Sequence, residues 1–156
     1  MALRRARQIG ASSCQLFVKN NMQWFGKPFT PADVALYRKE REATGLASVF
    51  GHTGYLINLG GPPSPNPDKS LQSLIQELQL AQSLDLPFLV LHPGAHLGRG
   101  EEAGLKQVVA GLDEAVAATK SSRVRIALEN TAGQGTCLGH QIAHLAAIFD
   151  RVHAPR

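Results

Sequence analysis

Pro87-Phe88-Leu89-Val90-Leu91 runs without a polar residue into His92-Pro93-Gly94, and no other segment says as much about the architecture. A continuous apolar run closed by a turn signal is the pattern of a strand covered on both faces, as in a parallel sheet with helices packed against it. The flanks agree. Upstream, Leu71, Leu74, Ile75 and Leu78 fall at i, i+3, i+4 and i+7, one face of a helix. Downstream, Leu105, Val108, Val109, Leu112 and Val116 mark another helix, so the run sits between two helices.

The same alternation extends both ways. Val124-Arg125-Ile126-Ala127-Leu128 predicts the next strand, and Ile142, Leu145, Phe149 and Val152 fit a last helix. Towards the N-terminus, Ala47-Ser48-Val49-Phe50 predicts a strand. Before it, Thr30 is placed to cap a helix with Pro31 in its first position, carrying Val34, Leu36 and Tyr37 and stopping near Gly45. Cys14-Gln15-Leu16-Phe17-Val18 reads as a first strand, preceded by a helix over residues 1–9 that ends at Gly10. The prolines of residues 60–67 rule out regular pairing there, so that segment is a loop. Four strands alternate with five helices, an α/β chain with a parallel sheet.

With 156 residues the chain is one domain. A closed (β/α)8 barrel takes roughly 250 residues and rarely fewer than about 200. Residues 1–156 are therefore expected to form a single, partial TIM barrel that begins inside one helix and stops just after another. The composition, 44% hydrophobic and 18% charged, fits a globular core and excludes a disordered chain. No segment approaches the roughly 18 consecutive apolar residues of a spanning helix, so no membrane partner is expected. Residues 1–10 hold three arginines and no apolar stretch, unlike a secretory signal. Cys14 and Cys137 stand far apart without a CxxC partner, which argues against a disulfide framework and a thiolate zinc site and points to the cytoplasm.

The net charge of +4 is uneven: residues 1–41 hold eight of the sixteen basic side chains and, of the acids, only Asp33 and Glu40. A solvated helix face explains this, and so does a polyanionic partner whose phosphates the cations neutralise.

The chemistry lies at the strand ends. Val49-Phe50-Gly51 leads into His52, Leu89-Val90-Leu91 into His92, and Ile126-Ala127-Leu128 into Glu129. Taken singly, each has an ordinary reading as a rim residue or a helix cap. Together, two imidazoles and a carboxylate at the C-terminal ends of neighbouring barrel strands suit a catalytic zinc centre with a position left open.

Four stretches give these residues a family context. His-Thr-Gly-Tyr-Leu-Ile-Asn-Leu-Gly (52–60), Leu-His-Pro-Gly-Ala-His-Leu-Gly (91–98), Ala-Leu-Glu-Asn-Thr-Ala-Gly-Gln-Gly (127–135) and Phe-Val-Lys-Asn-Asn-Met-Gln-Trp (17–24) resemble, in order and spacing, signature segments of the endonuclease IV family of apurinic/apyrimidinic endonucleases. The resemblance covers essentially the whole chain. It implies a xylose isomerase-like TIM barrel with three zinc ions at its C-terminal face. It also implies base excision repair chemistry: cleavage 5′ to abasic sites in double-stranded DNA, and removal of blocking groups from 3′ ends. His52 and His92 would hold one zinc, and Glu129, the catalytic carboxylate, would bridge it to a second. Tyr55 and Leu56 would wedge into the base stack, with Lys19, Met22, Gln23 and Trp24 beside the DNA. Met22 stands where the family often has an arginine. The family's first strand would precede Met1 and its remaining ligands would follow Arg156, so this chain is expected to be impaired as a nuclease and to associate through open barrel edges.

Two other functions fit a barrel of this kind: a divalent-metal sugar isomerase or epimerase, and a non-catalytic metal- or DNA-binding fragment. His140 and His144 share an expected helix face but lack the glutamate of an HExxH site, so a solvated or rim helix face is the better reading. His96 is placed to reach a phosphate, Trp24 and Phe25 to stack on bases or on the next loop, and His153 to lie exposed near the end.

Overall fold

In a computed structural model, residues 2–63 and 68–153 are described. Residues 64–67, part of the loop read from the prolines, lie outside that description. The elements are α1 (Ala2–Gln8), β1 (Ser13–Phe17), α2 (Pro31–Thr44), β2 (Ser48–His52), α3 (Lys69–Ser83), β3 (Phe88–Leu91), α4 (Glu101–Ala118), β4 (Arg125–Leu128) and α5 (Ile142–Arg151). All strand pairs are parallel and the sheet order is β1-β2-β3-β4. Each strand lies beside its successor with no reversal of order, as in a barrel and unlike a doubly wound sheet. The partial TIM barrel expected from the sequence is the fold observed.

Local chemistry explains the helix boundaries. Before α2, the Thr30 side chain accepts from Asp33 N–H while the Asp33 carboxylate accepts from Thr30 N–H, a reciprocal cap. The Thr30 hydroxyl also donates to that carboxylate, and this bond, followed by the one from Thr30 N–H, holds the Asp33 carboxyl below its usual range. Pro31 fills the first turn, and Gly45 ends the helix at φ +58°, a left-handed conformation that glycine adopts without strain. Asp68 caps α3 by accepting from Ser70 and Leu71 N–H.

Strand alternation sorts the side chains. Val49, Leu89 and Leu91 turn towards the helices and are buried with Leu74, Leu78, Val108 and Leu112. Gly51 lies on this side too, and a Cβ there would come within 2.7 Å of Leu89 Cδ1. The opposite face, the lumen side of a barrel, carries Phe50 and Phe88, stacked at 4.7 Å between ring centroids. Both rings are half-buried and Arg125 is exposed, so β3 is sealed by helices on one side and only partly covered on the other. The apolar run therefore indicated a parallel strand correctly, but not equal cover of its two faces. Strand β2 also extends further than its apolar residues suggest: His52 is its last residue rather than the first of the loop. No helix among the described residues is long and apolar enough to cross a membrane.

Leu89 is fully buried under α3 and α4, so Leu89→Ala is expected to cost about 3 kcal/mol from lost transfer energy and the cavity left behind. Urea unfolding followed by circular dichroism measures it.

Candidate metal centre

The backbone ladder brings the strand ends together. Beyond the strands, Thr53 N–H donates to Val90 O and Glu129 N–H donates to Leu91 O. Register sets His52 beside Val90 and Leu91 beside Leu128. With a side-chain period of two, His52, Val90 and His92 share the lumen face, and Glu129 lies next to His92 on it. The result is a compact cluster: Glu129 Oε2 is 3.1 Å from His52 Nε2 and 3.4 Å from His92 Nε2. The edge of a tetrahedron with zinc–ligand bonds near 2.05 Å is about 3.3 Å, so the spacing suits that ion.

Proton placement supports the same reading. His52 Nδ1 lies 2.7 Å from Thr53 O. A carbonyl only accepts, so Nδ1 carries the proton of the neutral ring and the Nε2 lone pair is turned towards Glu129. An imidazole lone pair and a carboxylate oxygen at 3.1 Å repel unless a cation or a proton lies between them. His92 presents its Nε2 to the same oxygen, while its buried Nδ1 has no hydrogen-bond partner among the described residues. The cluster opens onto a cavity of about 440 Å3 whose walls include Tyr55, Asn58, Asn130 and Thr131. His52 is nearly enclosed; His92 and Glu129 are 40% and 45% exposed in their side chains, which leaves a way in for a substrate.

A second group of side chains of metal-ligating type, Glu101, His140 and His144, comes together in space. Here the expectation from the sequence needs correction. Helix α5 starts at Ile142, so His140 precedes it and the two histidines do not share a helix face. His144 is buried rather than solvated, 5% exposed, and its ring meets that of His140 edge-on at 4.8 Å. Gly139 N–H donates to His144 Nδ1, which puts the ring proton on Nε2, 3.3 Å from Glu101. That tautomer donates to a carboxylate and has no Nε2 lone pair for a metal, the reverse of His52. His144 ties α5 and the loop after β4 to the start of α4.

The remaining candidates divide between surface and interior. Tyr55 and Met22 are each 63% exposed, Gln23 is exposed, and Leu56 and Trp24 are half-buried. Tyr55 packs edge-on against Phe17 and lies 6.3 Å from the His52 ring, beside the group of His52, His92 and Glu129. Phe25 is 44% exposed. Lys19 is not a surface cation: its side chain is 3% exposed, and Nζ lies 2.9 Å from the equally buried Glu77. His96 accepts from Gly100 N–H through Nδ1, fixing the turn into α4. His153 is exposed as expected, with Nδ1 2.7 Å from Asp113.

Sequence reasoning passed over two residues that shape the site. Asn58 links the loops after β2 and β3: its Oδ1 accepts from Ala95 and Gly60 N–H, and its Nδ2 donates to Ala95 O. The only trace of this in the sequence is an asparagine inside an otherwise apolar motif. Glu77 is one polar residue of an amphipathic helix in the sequence, where nothing local shows that Lys19 lies opposite it.

The chain belongs to the xylose isomerase-like TIM barrel family, whose model matches residues 3–156. Within that class, the resemblance to endonuclease IV is borne out by relatives. The chain is 42% identical over 148 residues to the probable endonuclease 4 of Chloroflexus aurantiacus, covering 95% of this chain and 52% of that protein. It superposes on the crystal structure of endonuclease IV from Thermus thermophilus with a TM-score of 0.79 at 32% identity, covering 94% of this chain and 52% of that one. A D-tagatose 3-epimerase-like protein matches with a TM-score of 0.74 at 16% identity over 97% of this chain and 56% of that one, a likeness of fold alone. The chain spans about half the length of the curated relatives it matches.

Two measurements check the geometry. His52→Ala is expected to weaken Zn2+ binding at least tenfold, roughly 1.4 kcal/mol, whereas His144→Ala leaves it unchanged; titration calorimetry reads both. Burial pushes the Glu77 carboxyl above its ordinary value of 4.5, although Lys19 opposes the shift. An acid raised in the folded state favours folding most below its ordinary value, and that contribution fades as pH rises through the folded value. Urea midpoints of the wild type relative to Glu77→Gln should therefore decline with increasing pH across that interval.

Proposed function

We propose that this chain carries part of the active face of a zinc-dependent DNA-repair endonuclease of the deoxyribonuclease IV type, which cleaves the phosphodiester 5′ to abasic sites and clears blocked 3′ ends. The observation that carries the reading is the meeting of His52, His92 and Glu129 around one point, with Tyr55 and Leu56 beside it. His52 and His92 would hold one Zn2+ with Glu129. Both rings lie close to Oε2 of Glu129, and the family resemblance implies that this carboxylate would also reach a second ion. Family resemblance implies three ions, and this chain supplies ligands for one plus that bridging carboxylate. Bound here, zinc supplies Lewis acidity towards a phosphodiester oxygen.

The chain's own residues do the rest. Thr53 O fixes the His52 ring so that its lone pair faces the ion. Tyr55, supported by Phe17, and Leu56 present apolar surface to a base step, and Met22 and Gln23 extend that surface on the neighbouring loop. Among the described residues, the outer strands β1 and β4 each pair on one side, which supports self-association through the other edge. The expected compartment is the cytoplasm, where the thiols of Cys14 and Cys137 stay reduced. A sugar-epimerase reading rests on fold likeness alone, and fold does not fix chemistry.

The test is a pair of DNA duplexes, identical except for one abasic analogue, titrated with the protein with and without Zn2+. Zinc binding and a preference of at least about tenfold for the abasic duplex are expected, with Tyr55→Ala removing most of that preference. Any incision is expected to depend on the added Zn2+. A protein that takes up no zinc and treats the two duplexes alike would refute the proposal.

A further inference from the structure

Lys19 and Glu77 are enclosed, with side chains 3% and 1% exposed, and they are bonded to more than each other. Glu77 accepts the N–H of Gly54, in the loop after β2 that carries Tyr55 and Leu56, at 3.2 Å and 3.0 Å through its two oxygens. Lys19 Nζ donates to Gln23 O, in the loop after β1 that carries Met22 and Trp24. One turn earlier on α3, Ser73 Oγ donates to Trp24 O at 2.6 Å, and the neighbouring Gln76 accepts from Gly26 N–H. The two loops are joined directly as well, Tyr55 N–H donating to Asn21 O. The fit is close: a Cβ on Gly54 would lie 2.9 Å from Lys19 Nζ and 3.3 Å from Glu77 Oε1.

A buried ion pair is weak evidence for added stability, because desolvation offsets most of its Coulombic gain. Its value lies in fixing geometry, and the groups fixed here are main-chain atoms of two exposed loops on the metal-bearing face. We infer that Glu77 and Lys19 are positioning residues, holding the loop of Tyr55 and Leu56 and the loop of Met22 to Trp24 at one mutual setting for contact with damaged DNA. This deepens the endonuclease reading and rests on it. Neither residue touches the metal cluster or the nucleic acid. Glu77 acts through the Gly54 N–H, and Lys19 through Gln23 O.

Removing one partner would strand a buried charge and endanger the fold. The informative protein is therefore the double variant Lys19→Met/Glu77→Leu, which replaces the pair with apolar groups of similar size. Trp24 is the chain's one tryptophan and lies in the first loop, so its quenching by acrylamide reports loop placement without DNA. The double variant is expected to melt cooperatively and to bind Zn2+ as the wild type does. Its Trp24 should quench more readily, and its preference for the abasic duplex should fall at least about tenfold. Unchanged Trp24 quenching with the abasic preference intact would overturn the inference, and so would a loss of zinc affinity as large as the loss of DNA preference. If the wild type itself shows no abasic preference, the endonuclease reading falls. The quenching comparison then decides loop positioning alone: a rise supports it and no change refutes it.

Discussion

The pairing register between β2 and β3 governs everything on the lumen face. His52 lies level with Val90, two residues before His92, and side chains two apart along a strand point the same way. A slip of one residue would turn His52 towards α3 and bring Gly51 to the lumen. Such a slip is costly here because Gly51 has no side chain and Leu89 fills the space it leaves. Core packing on the helix side thus sets the chemistry on the other side. The same ladder, continued through Thr53 and Glu129 N–H, brings in the carboxylate.

Much of this could be read from the residues alone. Leu89, Val90 and Leu91, followed by His92, announce a buried parallel strand with a functional group at its end, and period-two logic carries the inference to His52 and Glu129. Local signals of this kind survive folding, because strand patterning and helix caps such as Thr30 with Asp33 act over a few residues. The burial of Lys19 was not legible, for the opposite reason. A lysine in a basic N-terminal third looks like a phosphate contact, and only the approach of α3, far along the chain, buries it against Glu77. His144 belongs to the same class: its burial depends on Glu101 and on the loop through Gly139.

The two histidine clusters show how backbone hydrogen bonds assign roles to chemically identical rings. A carbonyl beside Nδ1 leaves the Nε2 lone pair free at His52, and an amide N–H beside Nδ1 makes Nε2 a donor at His144. Residue type and proximity alone do not distinguish the two groups. The difference is one peptide group, seen from its oxygen end in one case and its nitrogen end in the other.

The contact between Asn58 and Gly94 has a consequence for how this sequence can change. Gly94 sits at φ +98°, and a Cβ there would lie 2.1 Å from Asn58 Oδ1, so both backbone conformation and space forbid any larger residue. Losing Asn58 would clear the space and leave the conformation still closed, while releasing the amides of Ala95 and Gly60. Single-step substitution is blocked from either side. The two loops are bound to a shared history, and a descendant that redraws one must redraw the other with it.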